Sequence, residues 1–143
     1  MFTDTINPRF SETDALGHIN NNTYGIWFEA ARDSIYKIFI PSLNAKKWNL
    51  IMAHSSYDFL AEVHYGKEVI IKTALEKIGN SSFHLTHAVY QNKHLCTTSK
   101  GILIHFDHDK KKSVVIPLHI KDELNKHLFN KAWPLKLADL DEL

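Results

Sequence analysis

From Tyr24 to Phe39 the chain is apolar on nearly every side of a helix, and a helix of that kind has to be wrapped by other structure. Tyr24, Trp27, Phe28, Ala31, Ile35, Ile38 and Phe39 recur at helical spacing. Ile26 and Ala30 widen the apolar face, which leaves Glu29, Arg32, Asp33 and Lys37 as a narrow polar remainder. Asn22 or Thr23 can cap the start, and Pro41 stops the helix. The spacing predicts one long central helix.

The rest of the chain supplies strands to wrap it. Phe2, Ile6 and Phe10 alternate with polar residues through Ser11, the period of a half-buried strand, with Pro8 removing one backbone donor. Trp48–Tyr65 reads as a long strand, kinked near His54-Ser55-Ser56. Glu68–Ile78, the alternation Phe83, Leu85, His87, Val89, and Leu95–Phe106 follow, separated by turns at Gly66, Gly79-Asn80-Ser81 and Gln91-Asn92-Lys93. Such short turns predict an antiparallel meander. Asp107–Ser113 is a polar turn containing Lys110-Lys111-Lys112, and Pro117–Leu128 reads as a short helix with Leu118, Leu124 and Leu128 on one side. The economical solution is an α+β fold in which a curled antiparallel sheet surrounds the helix.

Size and charge exclude several classes. The 143 residues suit a single domain, 1–143, and 44% hydrophobic content excludes disorder. A net charge of +1 gives no basic face for nucleic acid. No run approaches the roughly 18 apolar residues of a membrane span, and Met1-Phe2-Thr3-Asp4 does not resemble a signal peptide. One cysteine, Cys96, fits a reducing compartment, and no base is signalled beside it, so the expected localisation is cytoplasmic. The 10 histidines do not fall at metal-binding intervals. His84 and His87 point to opposite faces of a strand, His105 and His108 share that spacing, and no helical His-x3-His pair occurs. Scattered surface or edge histidines, and no metal, are expected.

Polar chemistry concentrates just before the helix. The segment from Glu12 through Asp14, Gly17, His18 and Asn20-Asn21-Asn22 to Tyr24 places a carboxylate, an imidazole and three asparagines at one strand-to-helix junction. The helix N-terminus there is rich in unpaired N–H groups, which suits an anion or an oxyanion.

The run Arg9-Phe10-Ser11-Glu12-Thr13-Asp14-Ala15-Leu16-Gly17-His18-Ile19-Asn20-Asn21 carries a family resemblance, with Tyr24 and Phe28-Glu29-Ala30-Ala31-Arg32 behind it. It resembles the hotdog-fold acyl-CoA thioesterases of the 4-hydroxybenzoyl-CoA thioesterase-like superfamily, and the likeness extends over residues 3–107 through Gly79-Asn80-Ser81-Ser82. The resemblance implies a hotdog fold: an antiparallel sheet of about five strands around one long central helix, here followed by a C-terminal helix. It implies a homodimer or homotetramer with sites at the subunit interface, and no cofactor. Asp14 falls at the family's catalytic carboxylate. Asn21 stands where some members carry a histidine and others use a backbone N–H on the thioester oxygen, so its backbone role carries over. His18 matches the Gly-His-Ile/Val-Asn-Asn version, which plant acyl-ACP thioesterases share, although those enzymes have an asparagine where this chain has Leu16.

The implied reaction is hydrolysis of acyl-CoA to free acid and CoA. Asp14 serves as general base or nucleophile, the helix N-terminus with Asn21 as oxyanion site, and His18 as assistant. Gly17, Asn20, Tyr24 and Ser82 are the implied substrate-binding residues, Ser82 toward a partner's site or, equally, only in the turn that it shares with Ser81. His18 can alternatively bind Asp14, bind substrate or merely fix the loop, Asn22 can be only a cap, and Tyr24 and Phe28 can be only core. Acyl-ACP as substrate, or non-catalytic binding of an acyl or aromatic ligand, are the alternative functions.

Overall fold

The structure is a computed structural model and describes residues 1–135. The strands are β1 (Phe2–Ile6), β2 (Leu50–Phe59), β3 (Val69–Ile78), β4 (Ser82–Gln91), β5 (His94–Asp107) and the short β6 (Lys112–Ser113). The helices are α1 (Thr23–Ala31), α2 (Asp33–Phe39) and α3 (Leu118–Asn125). All pairings in the sheet are antiparallel, in the order β1-β3-β4-β5-β2, with β6 against the end of β5.

The strands β3, β4 and β5 form the meander that their alternation predicts, but β2 does not join it in sequence order. β2 pairs with β5 at the far edge, so the connection from Leu60 to Glu68 crosses the end of the sheet to reach β3. The expected strand Trp48–Tyr65 is therefore cut short at Phe59. There the chain turns away because the N–H groups of both Leu60 and Ala61 donate to the Cys96 carbonyl, at 2.8 and 3.0 Å. The kink expected near His54 is a register shift between Met52 and His54. β1 ends at Ile6, before Pro8, and Phe10 lies in a 3-10 turn, 76% exposed, instead of facing inward.

The central helix is not one long element. α1 and α2 meet at Arg32, whose N–H bonds back to Glu29 at 3.1 Å. The side chain of Arg32 is buried and its Nε–H donates to Nε2 of His87, 3.2 Å away on β4. A buried guanidinium needs an acceptor, and turning it into the sheet coincides with the break in the helix. The core divides accordingly. One cluster joins α2 and α3 to the sheet through Ile35, Phe39, Leu75, Phe83 and Leu124; the other joins α1 to the sheet through Trp27, Phe28, Ile71 and Val89. On α3 it is Ile120 and Leu124 that are buried, while Leu118 and Leu128 are exposed, so the expected apolar face is rotated. Two histidines also depart from the surface expectation: His87 is fully buried and His105 nearly so. Among the described residues no helix is long and apolar enough to cross a membrane.

Candidate active site

The loop between β1 and α1 is folded onto itself by a buried carboxylate. Glu12 accepts from the Arg9 N–H at 2.7 Å and from the Trp27 indole N–H at 2.8 Å. Burial works against its charge, but these donors outweigh it and hold the carboxyl below its ordinary value. Glu12 thus ties the loop to α1. Its main-chain oxygen takes the Asn20 N–H at 2.9 Å, which closes the loop at its base.

Within that loop Asp14 is both cap and free group. Its Oδ1 accepts from the N–H groups of Leu16 (2.7 Å) and His18 (3.1 Å), while its own N–H donates to the His18 carbonyl at 2.7 Å. Its Oδ2 has no partner among the described residues, so one oxygen fixes the loop and the other stays available. Gly17 makes the turn possible at φ +80°, a conformation that residues with a Cβ rarely adopt.

The start of α1 is held by Asn20. Its side-chain oxygen takes the Asn22 N–H and its main-chain oxygen the Thr23 N–H, each at 2.9 Å. The Asn22 side chain makes no capping bond, contrary to expectation. The Asn21 N–H has no acceptor among the described residues, which leaves it as an open donor at this helix start.

Asp14, His18, Asn20, Asn21 and Tyr24 line one cleft of about 420 Å³, closed on its other side by Phe59 at the end of β2 and by Leu60–Glu62 of the crossing connection. Tyr24 is only 3% exposed, with its ring against Trp27 (5.5 Å) and Phe59 (5.3 Å), so it forms a wall and does not reach out as a binding group. Burial pushes its phenol upward and keeps it protonated. His18 does not turn its ring to the Asp14 carboxylate. Its Nε2 lies 3.1 Å from Oε2 of Glu62. Gly17 shapes the loop without lining the cleft. Ser82 is not brought there by the chain's own fold. Gln91, at the other end of β4, is the residue that touches this region, through His64, and Ser82 lies roughly 30 Å along the strand from it.

The residues that sequence reasoning missed are those of the crossing connection. Ile19 donates its N–H to the Val63 carbonyl at 2.8 Å, and Tyr65 donates to Gly17 at 3.4 Å. Ile19 and Val63 are buried in the α1 cluster. Their neighbours His18, Glu62 and His64 therefore face the opposite way, out of the core. In the sequence they read as the end of the expected strand Trp48–Tyr65, and nothing local signals that the chain leaves that strand at Phe59.

The amino-acid sequence matches the Thioesterase-like superfamily over residues 8–124. It is 30% identical over 115 residues to the uncharacterized protein YsmA of Bacillus subtilis (strain 168), and the match spans 79% of this chain and 78% of that one. The fold is similar to that of a predicted thioesterase from Bacillus stearothermophilus, with TM-score 0.89 and 36% identity, covering 92% of this chain and 98% of the other. It is also similar to a thioesterase from Thermus thermophilus complexed with coenzyme A and Zn, with TM-score 0.78 and 22% identity, covering 87% and 91%.

Proposed function

The chain belongs to the thioesterase-like superfamily, and from that premise we propose that it hydrolyses acyl-CoA thioesters in the Asp14 cleft. The observation that carries this reading is the divided role of the Asp14 carboxylate. Oδ1 is fixed by two main-chain donors while, among the described residues, Oδ2 has no partner and the Asn21 N–H in the same cleft has no acceptor. A thioester carbonyl seated with its oxygen on that N–H has a donor aimed at the charge that develops on attack. Oδ2 then takes the proton of a water that adds to the carbonyl carbon and displaces the thiolate, or itself attacks, expels the thiolate and forms a mixed anhydride that water hydrolyses to the free acid and the carboxylate. The His18 ring, turned to Glu62, positions that side of the cleft, and His18 meets the Asp14 carboxylate only through its main-chain N–H. Coenzyme A as the thiol carrier is supported by the Thermus thermophilus relative, which is complexed with it.

The test is release of free thiol from a panel of straight-chain, branched and aromatic acyl-CoAs, with the acyl-carrier-protein form of the best acyl group in parallel. Multiple turnovers on at least one acyl-CoA are expected. Binding without thiol release across the panel would replace hydrolysis by ligand binding, and turnover on the carrier-protein form alone would replace the carrier.

Assembly belongs to the same proposal. β2 is an edge strand carrying exposed Ile51, Met52, Tyr57 and Phe59, and the adjoining face of α1 exposes Ile26. An uncovered edge with that much apolar surface is a template for a second copy. Phe59 lines the Asp14 cleft, so pairing through β2 brings the partner to the site. Sedimentation velocity at micromolar concentration should show a dimer or tetramer; a monomer alone would contradict an interface-built site.

A further inference from the structure

We propose that His18, Glu62 and His64 form a binding site for one divalent transition-metal ion of the zinc type at the edge of the cleft. The pattern of main-chain bonds puts them together. Ile19 bonds Val63 and Tyr65 bonds Gly17 on either side of the facing pair His18 and His64. That is the narrow, non-hydrogen-bonded pairing of an antiparallel ladder, in which facing side chains stand closest. Their rings accordingly lie 5.0 Å apart, at 80°. Glu62 is two residues before His64 and so shares its face. Its carboxylate reaches His18 at 3.1 Å, and the ligand atoms of all three residues lie within 4.8 Å of one another.

The donor set and the backbone both suit an ion. Two imidazoles and a carboxylate are a three-ligand zinc set that leaves a fourth position to water or substrate. Tetrahedral bonds of ordinary length separate the donors by about 3.4 Å, so no pair needs to close by more than about 1.4 Å. The backbone beneath is already held. Gln91 clamps His64 from both sides, its Oε1 taking the His64 N–H and its Nε2 donating to the His64 carbonyl, each at 2.9 Å. Asp14 Oδ1 holds the His18 N–H, and the core holds Ile19 and Val63. The interval from His18 to Glu62 hides the set from any spacing rule. His18 and Glu62 also line the cleft. A bound ion would therefore set positive charge beside Asp14, where a thiolate or carboxylate product is a ready fourth ligand.

The test is calorimetric titration of the chelator-treated protein with Zn²⁺ alone. One equivalent per protomer is expected for the wild type. Binding at least tenfold weaker is expected for His64→Ala and for Glu62→Gln, and unchanged binding for His119→Ala, which removes an exposed histidine on α3. Melting of the metal-free variants checks that they fold. Zinc should raise the wild-type melting temperature and not that of His64→Ala. Equal affinity in wild type and His64→Ala, or no binding by wild type, would overturn the proposal. The readout is the ion itself, so failure here leaves the hydrolysis reading intact, and failure of thiol release leaves this one intact.

Discussion

Acidification from pH 6.5 to 3.5 is expected to cost the folded chain about 4 kcal/mol through His87 alone. The ring is fully buried on β4, stacked on Phe28 at 4.7 Å and 12°. Nε2 accepts from the Arg32 Nε–H at 3.2 Å, which assigns the proton to Nδ1, where it is donated to Thr73 Oγ1 at 2.9 Å. Burial first, and then the Arg32 charge, push the imidazole down from 6.5 to about 3. The unfolded chain takes up this proton near pH 6.5, whereas the folded chain takes it up only near pH 3. Between those values the unfolded state binds one more proton, so stability is fully present above 6.5 and falls by about 1.4 kcal/mol per pH unit below it. Denaturant unfolding at steps from pH 7 to 4 measures the slope. His87→Gln keeps an acceptor for Arg32 and removes the titration, so its slope should be shallower by that amount. Equal slopes would mean that His87 is not held neutral by the fold.

The same side chain shows why parts of this fold were legible in the sequence and others were not. Strands β3, β4 and β5 follow from alternation and short turns, both of which are local. The break between α1 and α2 coincides with Arg32 meeting His87, a contact between helix and sheet that helical periodicity cannot contain. The position of β2 also had no local signal, because the turn at Leu60 depends on the Cys96 carbonyl of another strand. For the site, Asp14, His18, Asn20 and Asn21 were readable together because they lie in one contiguous loop. Glu62 and His64 arrive by the crossing connection, and only the paired backbone shows that they face His18. Tyr24 satisfied a helical pattern and a cleft at once, and its burial decides for the wall of the cleft.

Asp14→Asn is expected to lower kcat/KM on the best acyl-CoA by about 100-fold or more, the scale on which a general base or nucleophile acts. That is about 2.7 kcal/mol of transition-state stabilisation. The amide retains an oxygen to accept from the Leu16 and His18 N–H groups, so the loop keeps its geometry and the melting temperature should stay near that of wild type. What it removes is the negative, proton-accepting Oδ2. Asp14→Ala removes both functions and should cost stability as well as turnover, which separates the loop role from the chemical one. The most direct measurement of the central claim is therefore thiol release by Asp14→Asn beside wild type on the same substrate, with melting as the control. The predicted result is an intact fold with turnover lost by about two orders of magnitude; an intact fold with near wild-type turnover would contradict Asp14 as the group that attacks or activates water.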